Sequence, residues 1–171
     1  MCDTVEMARR FARCPEDLQE WAEEAAYENL KWHISAGDLI GTQASAFLTL
    51  LLAGMGGSLA YAARLAEPRP TLVAWGAGAT CIYLGVVATL LLLRCIRLRM
   101  SPVVRNSPDH LLPEGRSLAE VRPGELANVQ RRIERQMSIN SSRALWLDGL
   151  RMSALATPLV FTVAALLASR L

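Results

Sequence analysis

The chain has 171 residues, 52% of them apolar and 20% charged, with a formal net charge of +2. Its mean hydropathy is +0.24, and the apolar residues are gathered into long uncharged runs, which excludes an ordinary water-soluble enzyme. The segments 39–63, 71–93 and 152–169 hold 25, 23 and 18 residues without Asp, Glu, Lys, Arg or His. If each crosses a bilayer, about 100 residues remain outside, too few for most two-domain catalytic architectures.

The first predicted element is an amphipathic helix over 16–34, announced by Pro15, Glu16 and Asp17. Proline is tolerated in a first helical turn, and acids are favoured at the positive end of the helix dipole. Leu18, Trp21, Ala22, Ala25 and Trp32 recur at helical spacing and form the expected packing face, with Glu16, Glu20, Glu23, Glu24 and Glu28 largely between them. No proline lies within 16–67, so this helix is expected to run on into the first span. Small residues recur there every fourth position, at Gly37, Gly41, Ser45, Thr49, Ala53 and Gly57. Such a stripe lets helix backbones approach closely, either within one protomer or between copies.

Glu67-Pro68-Arg69-Pro70 reads as a rigid reversal to the second span, 71–93. The pattern then lapses from Met100 to Gly115, where three prolines predict a linker. Ser117 and Glu120 match a capping box and open a short helix that Pro123-Gly124 is expected to interrupt. A second amphipathic helix follows, with Leu126, Val129, Ile133 and Met137 on its apolar face. It should continue into the third span, kinked at Pro158.

The expected fold class is therefore all-α: an integral membrane protein with three transmembrane helices and cytoplasmic amphipathic helices. The expected segments are an N-terminal amphipathic helix (1–34), a transmembrane hairpin (35–98), a linker with an amphipathic helix (99–146) and the third span (147–171). Of the 18 cations, fifteen lie on the side of the amino terminus and of the segment between the second and third runs. Only Arg64, Arg69 and Arg170 lie on the other side. The positive-inside bias makes the fifteen-charge side cytoplasmic and places the amino terminus inside. No secretory signal is expected, because the positives of 1–13 are followed by Pro15 and two acids.

Chemistry-bearing patterns are sparse. The four cysteines and two histidines show no metal-ligand spacing, so no metal is expected. No phosphate loop, nucleophile elbow or paired-carboxylate site is present, so no catalytic residue is assigned and the chain is not read as an enzyme. The best anion-binding candidate is Arg131, Arg132 and Arg135, with Asn140 and Arg143 further on. Arginine presents a planar fork suited to phosphate, and Asn reads a base or ribose. Contact with anionic lipid, or a role in setting topology, explains the same residues.

Two stretches resemble a known family. The acidic helix reaches Trp32-His33-Ile34-Ser35-Ala36-Gly37-Asp38 and then Thr42-Gln43-Ala44-Ser45-Ala46-Phe47-Leu48. This junction resembles the entry to the first span of bacterial Pycsar transmembrane effectors. Ile133-Glu134-Arg135-Gln136-Met137-Ser138-Ile139-Asn140-Ser141-Ser142-Arg143-Ala144 is similar to that family's last helix. The resemblance implies antiphage defence at the bacterial inner membrane. A companion cyclase would make cyclic CMP or cyclic UMP, and the effector, a homo-oligomer in the lipid bilayer with no nucleic-acid partner, would sense it and impair the membrane. No resident cofactor is implied. A holin-like pore former and a non-pore membrane scaffold are the competing expectations.

Overall fold

A 49-residue helix dominates the computed structural model, which describes residues 4–66, 71–96, 104, 106, 115 and 117–170. The expected reversal at 67–70 and most of the expected linker lie outside the described residues. The elements in chain order are α1 (Thr4–Phe11), α2 (Glu16–Arg64), α3 (Leu72–Leu91) with a terminal π turn (Leu92–Ile96), α4 (Leu118–Ala154) and α5 (Thr157–Ala168). No strand occurs among the described residues. The uninterrupted α2 follows from the absence of proline across it, as the sequence predicts.

Two helices are long and apolar enough to cross a membrane, Glu16–Arg64 and Leu72–Ile96; a third span exists only if α4 and α5, bent by 44° at their junction, count as one. Large apolar side chains on these helices, among them Leu50, Leu59, Ile82, Val86, Leu155, Leu159 and Leu166, point outward. Hydrocarbon accepts such a surface where water would not.

By contacts the chain divides into two compact units, Met1–Leu39 with Arg99–Ser141, and Ile40–Leu98 with Ser142–Leu171. Helices α2 and α4 contribute residues to both.

The second unit has an aliphatic core of Ala44, Leu51, Leu84, Val87, Ala88, Leu91, Cys95, Leu147 and Leu150. On α3 the buried positions 77, 80, 84, 87, 88 and 91 keep helical spacing, so one stripe faces the core. Thr71 caps this helix by accepting from the Ala74 amide at 3.2 Å. At the π turn the Arg94 guanidinium lies over the Trp146 ring, 4.3 Å from its centroid. A cation on an aromatic face is stabilised there by the ring quadrupole.

The expected kink at Pro158 is a full break one turn earlier. Helix α4 ends at Ala154, and Pro158 occupies the first turn of α5, where a missing amide leaves no gap in the ladder. The carbonyl that Pro158 deprives of a donor, that of Ala154, accepts from Thr157 Oγ1 at 2.6 Å. Tyr83 Oη donates to the Ser153 carbonyl at 2.6 Å. The Ser153 carbonyl also accepts from the Ala156 amide at 2.9 Å, so it is shared by two donors. A hydroxyl such as that of Tyr83 is costly when unpaired in a low-dielectric surround. Tyr83→Phe is therefore expected to destabilise this unit by about 1 kcal/mol, read as a lower melting temperature of the detergent-solubilised protein.

The first unit is held by Tyr27, Leu30, Val129 and Ile133, with Ala26, Ile34 and Val104 against them. Three sequence expectations are corrected here. The face of α2 expected to pack is turned outward: Trp21 and Trp32 are both 67% exposed and Leu18 is exposed, whereas Gln19, Tyr27, Leu30 and Gly37 are buried. The buried face is the one whose polar groups find partners and whose Gly37 lets another helix close in. Met137, expected in the apolar face of α4, is 53% exposed, and Gln136 and Asn140 continue the buried stripe instead. Finally, α4 runs through Pro123-Gly124 without a break. The proline falls in the second turn, so only one carbonyl loses its ladder partner, and Pro123 is itself buried between neighbours.

Candidate functional site

The arginine-bearing stretch of α4 begins from a half-formed capping box. The Ser117 amide donates to Glu120 Oε2 at 3.1 Å, and helix α4 starts at the next residue. From there the helix presents Arg131, Arg132, Arg135 and Asn140 to three different surroundings, because neighbours along a helix turn by about 100° per residue.

Arg132 is half-buried and engaged. It forms an ion pair with Glu125 at 3.9 Å, donates to the Val104 carbonyl at 3.4 Å and bonds the Asn106 side chain. Glu125 is itself buried and accepts from Tyr27 Oη at 3.3 Å and Asn106 Nδ2 at 2.6 Å. A buried polar group is costly unless such partners satisfy its hydrogen bonds. The arrangement ties α2 and α4 to Val104 and Asn106, and Arg132 is thereby a structural anchor.

Asn140 is buried too. Its Nδ2 donates to the His33 carbonyl at 2.6 Å, and its Oδ1 accepts from Gln136 Nε2 at 3.0 Å. A Cβ placed on Gly37 would lie 2.8 Å from Asn140 Oδ1 and 3.0 Å from Gln136 Nε2. The glycine is what allows this approach, so Gly37, a packing candidate by sequence, and Asn140, a ligand candidate, form one knot.

Arg131 and Arg135 remain exposed on the surface of α4, with Arg131 Nη1 donating to Thr4 Oγ1 at 3.3 Å. Arg143 belongs to the second unit and is half-buried there, its carbonyl accepting from the Cys95 thiol at 3.7 Å. Of the five sequence-selected residues, two are engaged inside the first unit, two are exposed on it, and Arg143 belongs to the second unit. Helical periodicity alone separates Arg131 and Arg135 from Arg132. The roles of Asn140 and Arg132 depend on partners distant in the chain and leave no local signal.

The remainder of the small-residue stripe is largely outward. Gly41 is half-buried, and Ser45, Thr49, Ala53 and Gly57 are exposed. Ser45 and Thr49 return their hydroxyls to the carbonyls four residues back, at 3.0 and 3.2 Å.

Sequence reasoning passed over Arg122. Its side chain is only 10% exposed and pairs with Glu23 at 3.2 Å and Glu16 at 3.8 Å. Around it, Glu20, Glu24 and Glu28 line an acidic hollow of about 350 Å³. Among the described residues no group of three or more His, Cys, Asp or Glu side chains is placed to hold a metal ion.

No protein-family model matches the chain, and comparisons with curated proteins and with solved structures find no match either.

Proposed function

We propose that the protein is a ligand-triggered membrane effector: a helical receiving unit outside the hydrocarbon controls spanning helices that breach the bilayer. The observation carrying this reading is the buried polar framework of the first unit. Glu125, Gln136, Asn140 and Gln19 are all buried there. A bare hole-former or a simple anchor needs no such ordered polar assembly. Two helices, α2 and α4, continue from this unit into the membrane unit, so a change in the helix arrangement of one is coupled to the other by continuous backbone.

In this reading the protein sits in the bacterial inner membrane with its amino terminus and receiving unit cytoplasmic. The ligand is cyclic CMP or cyclic UMP from a companion cyclase, as the Pycsar resemblance implies, and the outcome is abortive infection. The exposed small-residue face at Ser45, Thr49, Ala53 and Gly57 suits close contact between copies in a homo-oligomer. A ligand that binds one helix arrangement better than another shifts the population toward it.

The test is dye release from proteoliposomes containing the full chain. Cyclic CMP or cyclic UMP is expected to trigger release only from vesicles that carry the protein. Release without nucleotide would replace this reading with a constitutive, holin-like pore, and no release under any condition would replace it with a scaffold.

A further inference from the structure

The groove between α1 and α4 in the first unit has a chemistry that none of the sequence-selected residues accounts for. It encloses about 920 Å³, within the size range of small-molecule sites. Arg9, Arg10 and Arg13 line one side, and Gln130 and Glu134 of α4 line the other. Phe11, half-buried, provides an apolar surface between them. All three arginines are exposed. Among the described residues none of the three forms an ion pair, in contrast to Lys31, Arg122, Arg132 and Arg151. Three unneutralised guanidinium groups, two on α1 and Arg13 in the turn that follows it, repel one another, and an anion between them removes that repulsion.

The balance of charge narrows the ligand. Glu6 also lines the groove, so three cations face two carboxylates, Glu6 and Glu134, a surplus of one positive charge. We propose that this groove binds a monoanionic phosphodiester through Arg9, Arg10 and Arg13. A triphosphate carries more charge than the lining offsets. Gln130 Nε2 donates to Glu134 Oε1 at 3.0 Å, which sets an amide and a carboxylate side by side. That pair offers the acceptor and donor that a nucleobase edge requires. Phe11 gives the base a face to stack on. Helix α1 is held to α4 by the Arg131–Thr4 hydrogen bond, so ligand bridging both helices would tighten their association. The inference rests on the proposed effector reading only for its consequence, and binding is measured separately from membrane damage.

The probes are cyclic CMP, cyclic UMP and short-chain phosphatidylglycerol, titrated against the full chain in nanodiscs of zwitterionic lipid. The wild type is expected to bind one of the two phosphodiester sources. The Arg9→Gln/Arg10→Gln/Arg13→Gln variant should lose at least about tenfold in affinity, the equivalent of one charge-assisted hydrogen bond. The corresponding triple Lys variant keeps the charge and should retain part of the binding, while Lys31→Gln, away from the groove, should bind as the wild type does. Glu134→Gln should weaken a cyclic nucleotide and leave the lipid unaffected, which separates the two sources. Unchanged affinity in the triple Gln variant, or no binding of any probe to the wild type, overturns the site. Undiminished nucleotide-triggered leakage in that variant also overturns it while leaving the effector reading standing. Binding without leakage retains the site and removes that reading.

Discussion

Gly76→Leu is expected to force α3 and α5 apart in the second unit. A Cβ at this position would lie 2.9 and 3.0 Å from ring carbons of Phe161 and 3.0 Å from its carbonyl oxygen. The ring can turn, but the backbone oxygen cannot yield without moving α5. In lipid, where water does not drive helices together, association depends on such close backbone approach. Overpacking of this kind costs about 1–3 kcal/mol for a single added group, and more for a branched side chain. Gly76→Ala should therefore lower the melting temperature of the detergent-solubilised protein, and Gly76→Leu should lower it further. Gly78 on the same helix meets no atom within 4 Å, so Gly78→Ala is the control. It should be neutral or stabilising by up to about 1 kcal/mol through helix propensity. Adding Phe161→Ala to Gly76→Ala should restore part of the loss, since the ring contacts vanish and the carbonyl contact persists. Equal melting temperatures for Gly76→Leu and the wild type would show that α3 and α5 do not meet at this point.

The second large effect is expected at the Gly37–Gln136–Asn140 knot. Asn140→Leu removes the donor to the His33 carbonyl and strands Gln136 Nε2 without its acceptor. Leaving buried polar groups unpaired costs about 1–3 kcal/mol for each. The Gln136→Leu/Asn140→Leu double variant should be less damaged than the sum of its singles, because no half-satisfied amide pair remains. Gly37→Val should match or exceed the Asn140 single variant, since its side chain occupies the space that Asn140 Oδ1 and Gln136 Nε2 fill. Amide hydrogen exchange across 28–39 and 130–141 is the readout, and the protection lost should be independent of added nucleotide. If nucleotide restores it, Asn140 is a ligand residue and not a structural one.

Much of the element content was legible in the sequence. The unbroken α2 follows from the absence of proline and the length of its uncharged run, and the α3 span follows from the second run. These features are local: they depend on which residues are adjacent and on backbone hydrogen bonding that each segment completes alone. The break before α5 was legible in kind, through Pro158, but not in place. Its position depends on Thr157, whose hydroxyl donates to the Ala154 carbonyl, and on Tyr83, which adds a second donor to the Ser153 carbonyl beside the Ala156 amide.

The choice of buried face was not legible. Hydrophobic periodicity favoured Trp21 and Trp32 on α2 and Met137 on α4, all of which are exposed. Side-chain chemistry singles out Arg132 and Asn140 as anion-binding candidates, and local sequence carries no sign of the partners they have inside the first unit, Glu125 and the His33 carbonyl. The groove arginines, Arg9, Arg10 and Arg13, read as topology signals in the sequence and gain a second meaning only when α1 is set beside Gln130 and Glu134.

Sequence alone therefore determined that the chain is helical and where two membrane-compatible helices lie, because compatibility with lipid follows from uncharged length, whereas the third run is split at the bend between α4 and α5. Tertiary structure decided which helix faces meet and which polar residues are buried. Asn140 is tolerated inside because the carbonyl it needs is supplied from 107 residues away, and Gly37 leaves just enough room for the two to meet. Pairing across that distance has no trace in local periodicity, so only the assembled helices could assign it.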